Sequence, residues 1–126
     1  MVADSPTNPL ANPFELSDGD GYMWLKGNLH SHTTNSDGKP SPQARLDGYV
    51  NQGYDYLCLS DHYTIPRTDS VDCPDNFTLV QGAELHPDNP FGGQRHHFVC
   101  INIHEDMDST KMPPQHVIDK VNEQGG

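Results

Sequence analysis

The stretch "SPQARLDGYVNQGYDYLCLSDH", residues 41–62, contains the signals of one helix followed directly by one strand. Ser41 is a typical helix N-cap, Pro42 suits the first helical position, and Gly53 is the residue type that ends helices in the left-handed conformation. Residues 54–60 then form a short apolar and aromatic run, which is typical of a buried strand. A helix that leads at once into a buried strand indicates an α/β domain.

Each predicted helix has one apolar face. The first is predicted from the spacing of its apolar residues, which recur at i, i+3 and i+4: Leu46, Tyr49 and Val50. The second is predicted within residues 113–126, with Gly125 as its stop. Its predicted apolar face holds Val117, Ile118 and Val121.

Three further segments are predicted to be strands, at residues 23–30, 77–85 and 97–103. They are short and nearly continuously apolar, which suits burial on both faces of a parallel sheet. The predicted order is strand, helix, strand, loop, strand, strand, helix. Residues 1–22, rich in Pro, Asn and Asp, are predicted to be an irregular lead-in, which leaves one α/β unit over residues 23–126.

The composition restricts the partners and the compartment. A formal net charge of −11, with only seven Lys and Arg, disfavours nucleic acid and anionic membrane surfaces as partners. The sequence contains no membrane-span pattern and no signal-peptide core, so we predict a cytoplasmic protein. The three cysteines are widely spaced, which disfavours a disulfide framework or a zinc ribbon. Cys58 and Cys100 lie in apolar runs and are predicted to be buried free thiols.

Residues with metal-ligand chemistry recur at the ends of successive predicted strands: His30, His32, His62, Glu84 and His97. Side chains at i and i+2 of a strand share one face, so His30 and His32 can chelate one ion. Asp37 lies in a turn sequence that can fold its carboxylate back toward them. A buried carboxylate without a partner is costly, so Glu84 in an apolar strand indicates a partner such as a cation. Imidazole and carboxylate ligands together suit zinc, iron or manganese.

Each of these residues also has a simpler interpretation. A lone His-x-His pair is often a surface pair, and Asp37 before Gly38 is an ordinary turn sequence. His62 after Asp61 can be one member of a structural hydrogen-bonded pair. The edge of an α/β sheet where strands end is, however, where such folds build their sites. The recurrence at several strand ends therefore favours a shared metal site.

The segments "HSHTTNSDG", "LSDH" and "GAEL", with a histidine opening the next strand, resemble the first three motifs of the PHP (polymerase and histidinol phosphatase) superfamily. The resemblance runs from about residue 26 to the C-terminus, and residues 26–62 look like its carbaryl-hydrolase-like metallohydrolases. It implies a distorted (β/α)7, TIM-like barrel of which this chain holds the N-terminal part. It also implies up to three divalent metal ions, of zinc, manganese or iron.

The resemblance also assigns ligands. It implies that His30 and His32 bind a first ion, that Glu84 bridges the first and second ions, and that His97 binds the second. Asp37 and His62 would bind the third. His96 is the rival of His97, and His86, which shares the strand parity of Glu84, is a further candidate to line the site. No catalytic residue is implied beyond these ligands. Asp61 is predicted to be a supporting residue, and His104 and His116 to be surface residues.

The implied function is that of a metal-dependent phosphoesterase, in which metal-activated water hydrolyses a phosphate ester of a small molecule. Arg67 and Arg95 are the cations that an anionic substrate could meet. One alternative is hydrolysis of a carbamate or carboxylic ester at the same ions. Another is a metal-binding fragment without turnover, because the family pattern continues with a further His and an Asp-x-His pair. We therefore expect the chain to be part of a larger domain and to self-associate through an exposed sheet edge.

Overall fold

Residues 24–126, the part that the computed structural model describes, form a mixed α/β unit in which a curled four-stranded sheet carries two helices. The elements are β1 (Gly27–Asn28), α1 (Pro42–Asn51), β2 (Tyr56–His62), β3 (Thr78–Leu85), β4 (Phe98–Ile101) and α2 (Pro114–Glu123). The predicted α/β class is confirmed, whereas the PHP-type barrel stays a prediction. The predicted lead-in over residues 1–22 lies outside the described residues.

The strand directions differ from the predicted parallel sheet at one place. The sheet order is β1-β2-β3-β4, with β1, β2 and β3 parallel and β4 antiparallel to β3. Parallel neighbours need a long crossover, usually a helix, and residues 86–97 between β3 and β4 form none. They instead turn back at Gly92 and Gly93, which both have positive φ. The prediction of a fully parallel sheet is therefore wrong for β4.

Within residues 24–30, the described part of the predicted segment 23–30, β1 covers only Gly27–Asn28, because side chains take over backbone hydrogen bonds on either side. The N–H of Lys26 donates to the Asp55 carboxylate rather than to a neighbouring strand. Two residues later, the Asn28 side chain accepts from the N–H of His30. Bonds from the backbone to side chains compete with a β-ladder. The regular ladder therefore ends before the two histidines, although the N–H of Ser60 on β2 still donates to the Ser31 carbonyl between them.

Helix α1 begins and ends close to where the sequence predicts. The Ser41 hydroxyl accepts from the N–H of Ala44, Pro42 is the first helical residue, and Gly53 follows the helix with a φ of +68°. Leu46 is fully buried against Leu57, Leu59 and Phe77, and Tyr49 and Val50 pack on the same cluster. The predicted stripe of α1 is thus the face that covers one side of the sheet.

The second apolar cluster lies between the sheet and α2. Val117 is fully buried there with Leu85 and Ile103, and Val121 packs against them. Ile118 is exposed, so its predicted place on the buried face is wrong. In an α-helix, adjacent residues lie about 100° apart, and Ile118 turns away from the sheet that Val117 contacts. Gly125, with a φ of +88°, follows the helix as predicted.

The free edge of β4 runs beside α2, where Val99 and Ile118 are both exposed. An unpaired strand edge is a template for pairing with another chain, so the predicted self-association stays a prediction. No helix within residues 24–126 has both the length and the apolar character that crossing a bilayer requires.

We expect the three thiols to differ in reactivity. Burial raises the pKa of all three thiols, that of Cys58 to about 12, so access to the sulfur atom is what distinguishes Cys73 from the buried Cys58 and Cys100. Cys73 is only half-buried. A disulfide reagent at pH 8 should therefore modify Cys73 first and should reach Cys58 and Cys100 only after unfolding in urea. Equal rates for all three thiols in the folded protein would contradict the buried positions of Cys58 and Cys100.

Candidate metal centre

The predicted ligands converge because of the strand directions. The carboxyl ends of β1, β2 and β3 lie at one edge of the sheet, and the antiparallel β4 begins at that same edge. His30 and His32 follow β1, and His62 is the last residue of β2. Glu84 lies one residue before the end of β3, and His97 comes directly before β4. Five side chains from four strands thereby reach one place.

Glu84 lies at the centre of this cluster, with its side chain only 4% exposed. Its Oε2 atom is 3.0 Å from Nε2 of His30 and 3.1 Å from Nε2 of His32. Its Oε1 atom is 2.6 Å from Nδ1 of His97. The two oxygens of one carboxylate therefore face two different sets of imidazoles, which is the arrangement that a bridging carboxylate requires.

The group of His30, His32 and Glu84 has the spacing of cation ligands. The Nε2 atoms of the two histidines are 2.8 Å apart, and both lie close to the same carboxylate oxygen. Two imidazole nitrogens on one tetrahedral zinc ion, each about 2.0–2.1 Å from it, are separated by about 3.3 Å. The observed separations are slightly shorter, so a cation fits with a small outward movement of the rings.

Asp37 links the histidines of two strands. Its carboxylate oxygens lie 3.4 Å from Nδ1 of His32 and 3.4 Å from Nε2 of His62. Nδ1 of His32 is buried and has no hydrogen-bond partner within the described part of the chain. A buried polar atom without a hydrogen-bond partner is uncommon in folded proteins, and the Asp37 carboxylate at 3.4 Å is an acceptor for this nitrogen when Nε2 of His32 binds a cation. The Asp37 side chain is 71% exposed, so this side of the cluster is open to solvent.

His86, the further candidate to line the site, belongs to the cluster. Its Nε2 atom is 2.8 Å from Nδ1 of His62 and 3.7 Å from Oε1 of Glu84. Its ring lies 4.1 Å from the ring of His97. The signal in the sequence is the i, i+2 spacing from Glu84, which places both side chains on one face of the extended chain. His96, the rival of His97, is exposed and lies beside Phe98 instead.

A buried network fixes the loop that carries His32 and Asp37. Asp61 is fully buried, and its two carboxylate oxygens accept from the N–H and the hydroxyl of Thr33, each at 2.7 Å. Asp61 also accepts from the Ser36 hydroxyl. The N–H of Gly38 donates to the Thr33 carbonyl. Asp61 is therefore a supporting residue of the loop.

Two further contacts hold the backbone of His32 itself. Arg45 donates two hydrogen bonds from its guanidinium to the His32 carbonyl, at 3.0 and 2.9 Å. A Cβ atom at position 38 would lie 2.4 Å from that same carbonyl oxygen. Only glycine can approach so closely, so Gly38 has a steric role as well as a turn role.

The electrostatics keep the donor atoms free for a cation. Burial raises the pKa of Glu84, but the hydrogen bond from His97 and the charge that His30 carries when protonated lower it by more, so the pKa lies below the usual range. Burial lowers the pKa of His86, and repulsion from His97 lowers it further. Glu84 is therefore ionised and His86 neutral at neutral pH, which are the forms that bind metals.

The remaining candidates lie away from the cluster. Arg67 is exposed and lines a cavity with Ile65 and Asp106 rather than with the histidines. Arg95 is also exposed, but its charge is near enough to lower the pKa of His86. His104 and His116 are exposed, as predicted.

The cluster has the composition of a divalent-metal site. Its donors form three overlapping groups, and within each group the ligand atoms lie within 4.8 Å of one another: His30, His32 and Glu84; His32, Asp37 and His62; and His62, Glu84 and His86. Imidazole with carboxylate can bind zinc, manganese or iron. In comparisons with protein families, curated proteins and solved structures, nothing matches this chain.

Proposed function

We propose that the protein is a metal-dependent hydrolase that acts on a phosphate ester. The observation that carries the proposal is the position of Glu84, a buried carboxylate whose two oxygens face separate sets of imidazoles. A structural zinc site is usually closed and rich in cysteine, whereas the three cysteines of this chain lie outside the three donor groups. An open site of imidazoles and carboxylates is typical of hydrolytic centres.

The proposal assigns a ligand role to each side of Glu84. His30, His32 and Oε2 of Glu84 would hold one cation, and Oε1 of Glu84 with His97 would hold part of a second site. Divalent ions held by these residues would supply a bound water of lowered pKa and positive charge near the ester oxygens. The resemblance to PHP proteins implies a further ion beside Asp37 and His62.

The chain's own residues orient these donors and leave room for a substrate. Arg45, Gly38 and the Asp61 network hold the loop of His32 and Asp37 in place. Asp37 and His97 have exposed side chains, so the cluster is reachable from solvent on that side. The chain is acidic overall, and bound cations would make this edge a local positive region that attracts a phosphate group.

Two other functions remain candidates for the same cluster. Hydrolysis of a carbamate or carboxylic ester needs the same ligands and differs in the reacting group. A metal-binding module without turnover has support from the exposure of Asp37 and His97, because donors that stay in solvent leave a bound ion partly coordinated by water. The tests below separate these candidates from the phosphoesterase.

Metal-dependent turnover is the first test. The protein is stripped with a chelator, reloaded with Mn²⁺, Zn²⁺ or Fe²⁺, and assayed on an aryl phosphate, an aryl carbamate and an aryl acetate. We expect phosphate release that requires the metal and that falls by more than about 100-fold in His30→Ala, which removes one direct ligand. His116→Ala, at an exposed position on α2, is the matched control and should leave the rate unchanged.

The outcomes of this assay separate the candidates. Turnover of the carbamate or acetate but not of the phosphate would replace the phosphoesterase by the first alternative. Stoichiometric metal without turnover of any ester would favour the module. If the protein bound none of the three metals, the result would contradict the proposed metal site and therefore the proposed function.

A further inference from the structure

We propose that His86 is a metal ligand, and that Nε2 of His86, Nδ1 of His62 and Glu84 form a cation position distinct from that of His30 and His32. This inference rests on the proposed function, because it assumes that the cluster binds divalent ions. It adds a ligand that the resemblance does not assign. It also changes the assignment of His62, which the resemblance pairs with Asp37.

The atomic positions carry the assignment. Nε2 of His86 lies 2.8 Å from Nδ1 of His62, and that Nδ1 atom lies 3.5 Å from Oε2 of Glu84. Oε1 of Glu84 lies 3.7 Å from Nε2 of His86. These separations bracket the distance of about 3.3 Å expected between two ligands of one tetrahedral ion. The two Glu84 distances end on different oxygens, but one ligand atom from each of the three residues lies within 4.8 Å of the other two, so the carboxylate and the two imidazoles can share a cation.

The sheet register places His86 on the correct face. Glu84 pairs with Val99 across the antiparallel β3–β4 ladder, and side chains alternate along each strand. Two residues beyond Glu84 comes His86, and two residues before Val99 comes His97. Both imidazoles therefore continue the face that Glu84 occupies, and their rings lie 4.1 Å apart. His96 belongs to the opposite face.

The position of His86 is also fixed by buried structure. Its N–H donates to the hydroxyl of Ser109, which is fully buried, at 3.0 Å. Pro87, the next residue, is fully buried as well. The ring of Tyr63 lies 5.0 Å from the His86 ring and covers one side of it. With only 13% of its side chain exposed, His86 has few places to turn, so its imidazole is held toward Glu84.

The tautomer of His62 determines whether Asp37 is a metal ligand or a hydrogen-bond acceptor that orients His62. A neutral imidazole has one lone pair, so His62 binds a cation either through Nδ1 beside His86 or through Nε2 beside Asp37. The proposal assigns Nδ1, which leaves the hydrogen on Nε2, the nitrogen that lies 3.4 Å from the Asp37 carboxylate. A carboxylate that accepts from the second nitrogen of a ligand histidine orients the ring. Asp37 is then a positioning residue.

Metal stoichiometry in three variants tests the assignment. Wild type, His86→Gln and Asp37→Asn are titrated with Co²⁺, followed by visible absorption, and their metal content is measured after dialysis. We expect His86→Gln to retain one fewer ion than the wild type, because loss of a direct ligand weakens that position by more than about 100-fold. Asp37→Asn should retain the wild-type number, since an amide oxygen still accepts one N–H. His104→Gln, at an exposed histidine, is the control for the same substitution.

The result that overturns the inference is full stoichiometry and unchanged affinity in His86→Gln, together with a lost ion in Asp37→Asn. That result would leave the proposed function intact, whereas a wild type that binds no Co²⁺ would refute both. Circular dichroism of each variant shows whether it folds. Histidine acylation of the unmutated protein, mapped by mass spectrometry, gives a second measurement. Co²⁺ should protect His86 and should not protect His116; equal labelling of His86 with and without Co²⁺ would count against the proposal.

Discussion

Glu84→Gln is expected to weaken cation binding at every position that shares Glu84 rather than at one position only. Both oxygens of Glu84 face imidazoles, Oε2 toward His30 and His32 and Oε1 toward His97. An amide has no negative charge, and its nitrogen is a donor that cannot bind a metal. One substitution thus removes a shared ligand and the buried charge that attracts the ions. We expect affinity for Mn²⁺ or Zn²⁺ to fall by more than about 100-fold at the positions that include Glu84.

Isothermal titration and metal analysis measure this effect, and Glu105→Gln provides the matched control. Glu105 is exposed and lies outside the three donor groups, so the same loss of one charge there should leave binding unchanged. The contrast with His30→Ala is informative, because His30 belongs to one donor group only. Retention of the wild-type number of ions in Glu84→Gln would show that Glu84 is not a shared ligand.

Asp61→Ala is expected to give the largest loss of stability among the polar substitutions considered. Asp61 is fully buried and accepts from the N–H and the hydroxyl of Thr33 and from the hydroxyl of Ser36. Alanine would leave the two buried donors of Thr33 without partners, and each such donor costs about 1–3 kcal/mol. We therefore expect the free energy of unfolding to fall by about 2–5 kcal/mol.

Urea denaturation of the metal-free protein measures this loss, with Asp69→Ala as the control on the exposed turn Thr68–Ser70. The free energy of unfolding of Asp61→Asn should lie between those of Asp61→Ala and Asp69→Ala, because the single amide oxygen of Asn replaces one of the two carboxylate acceptors. The loosened loop also carries His32 and Asp37, so metal affinity should fall by about 10–100-fold in Asp61→Asn. Unchanged stability in Asp61→Ala would show that the donors of Thr33 find water or other partners.

Local features of the structure were predictable from the sequence because their causes are local. Ser41, Pro42 and Gly53 set the ends of α1, and the actual helix is Pro42–Asn51. Leu46 is buried as its spacing indicates. The run at residues 54–60 does contain a strand, although β2 continues to His62 because that residue still pairs with Glu84 on β3. Helix caps and hydrophobic periodicity depend only on residues of one segment, so the sequence of that segment is enough to predict them.

The candidate site was predictable only in part. Parallel pairing of strands implies that polar residues at successive strand ends meet at one edge of the sheet. The structure does bring the six predicted ligands together there: His30, His32, Asp37, His62, Glu84 and His97. The reversal of β4 depends on how residues 86–97 turn back, and no pattern within β4 reports its direction. The place of His86 depends on Ser109, which is distant in sequence. Contacts of this kind are decided by tertiary structure.

The pairing of β3 with β4 selects which of two neighbouring histidines faces Glu84. Leu85 is aligned with Phe98, so His97 continues the face of Glu84 while His96 points to the other side. Sliding β4 by a single residue would exchange these two imidazoles and would also turn Phe98 out of the apolar cluster. The packing of the partly buried Phe98 ring therefore helps to determine which histidine faces Glu84. The choice of metal ligand at this edge of the sheet thus depends on hydrophobic packing on the opposite face of β4.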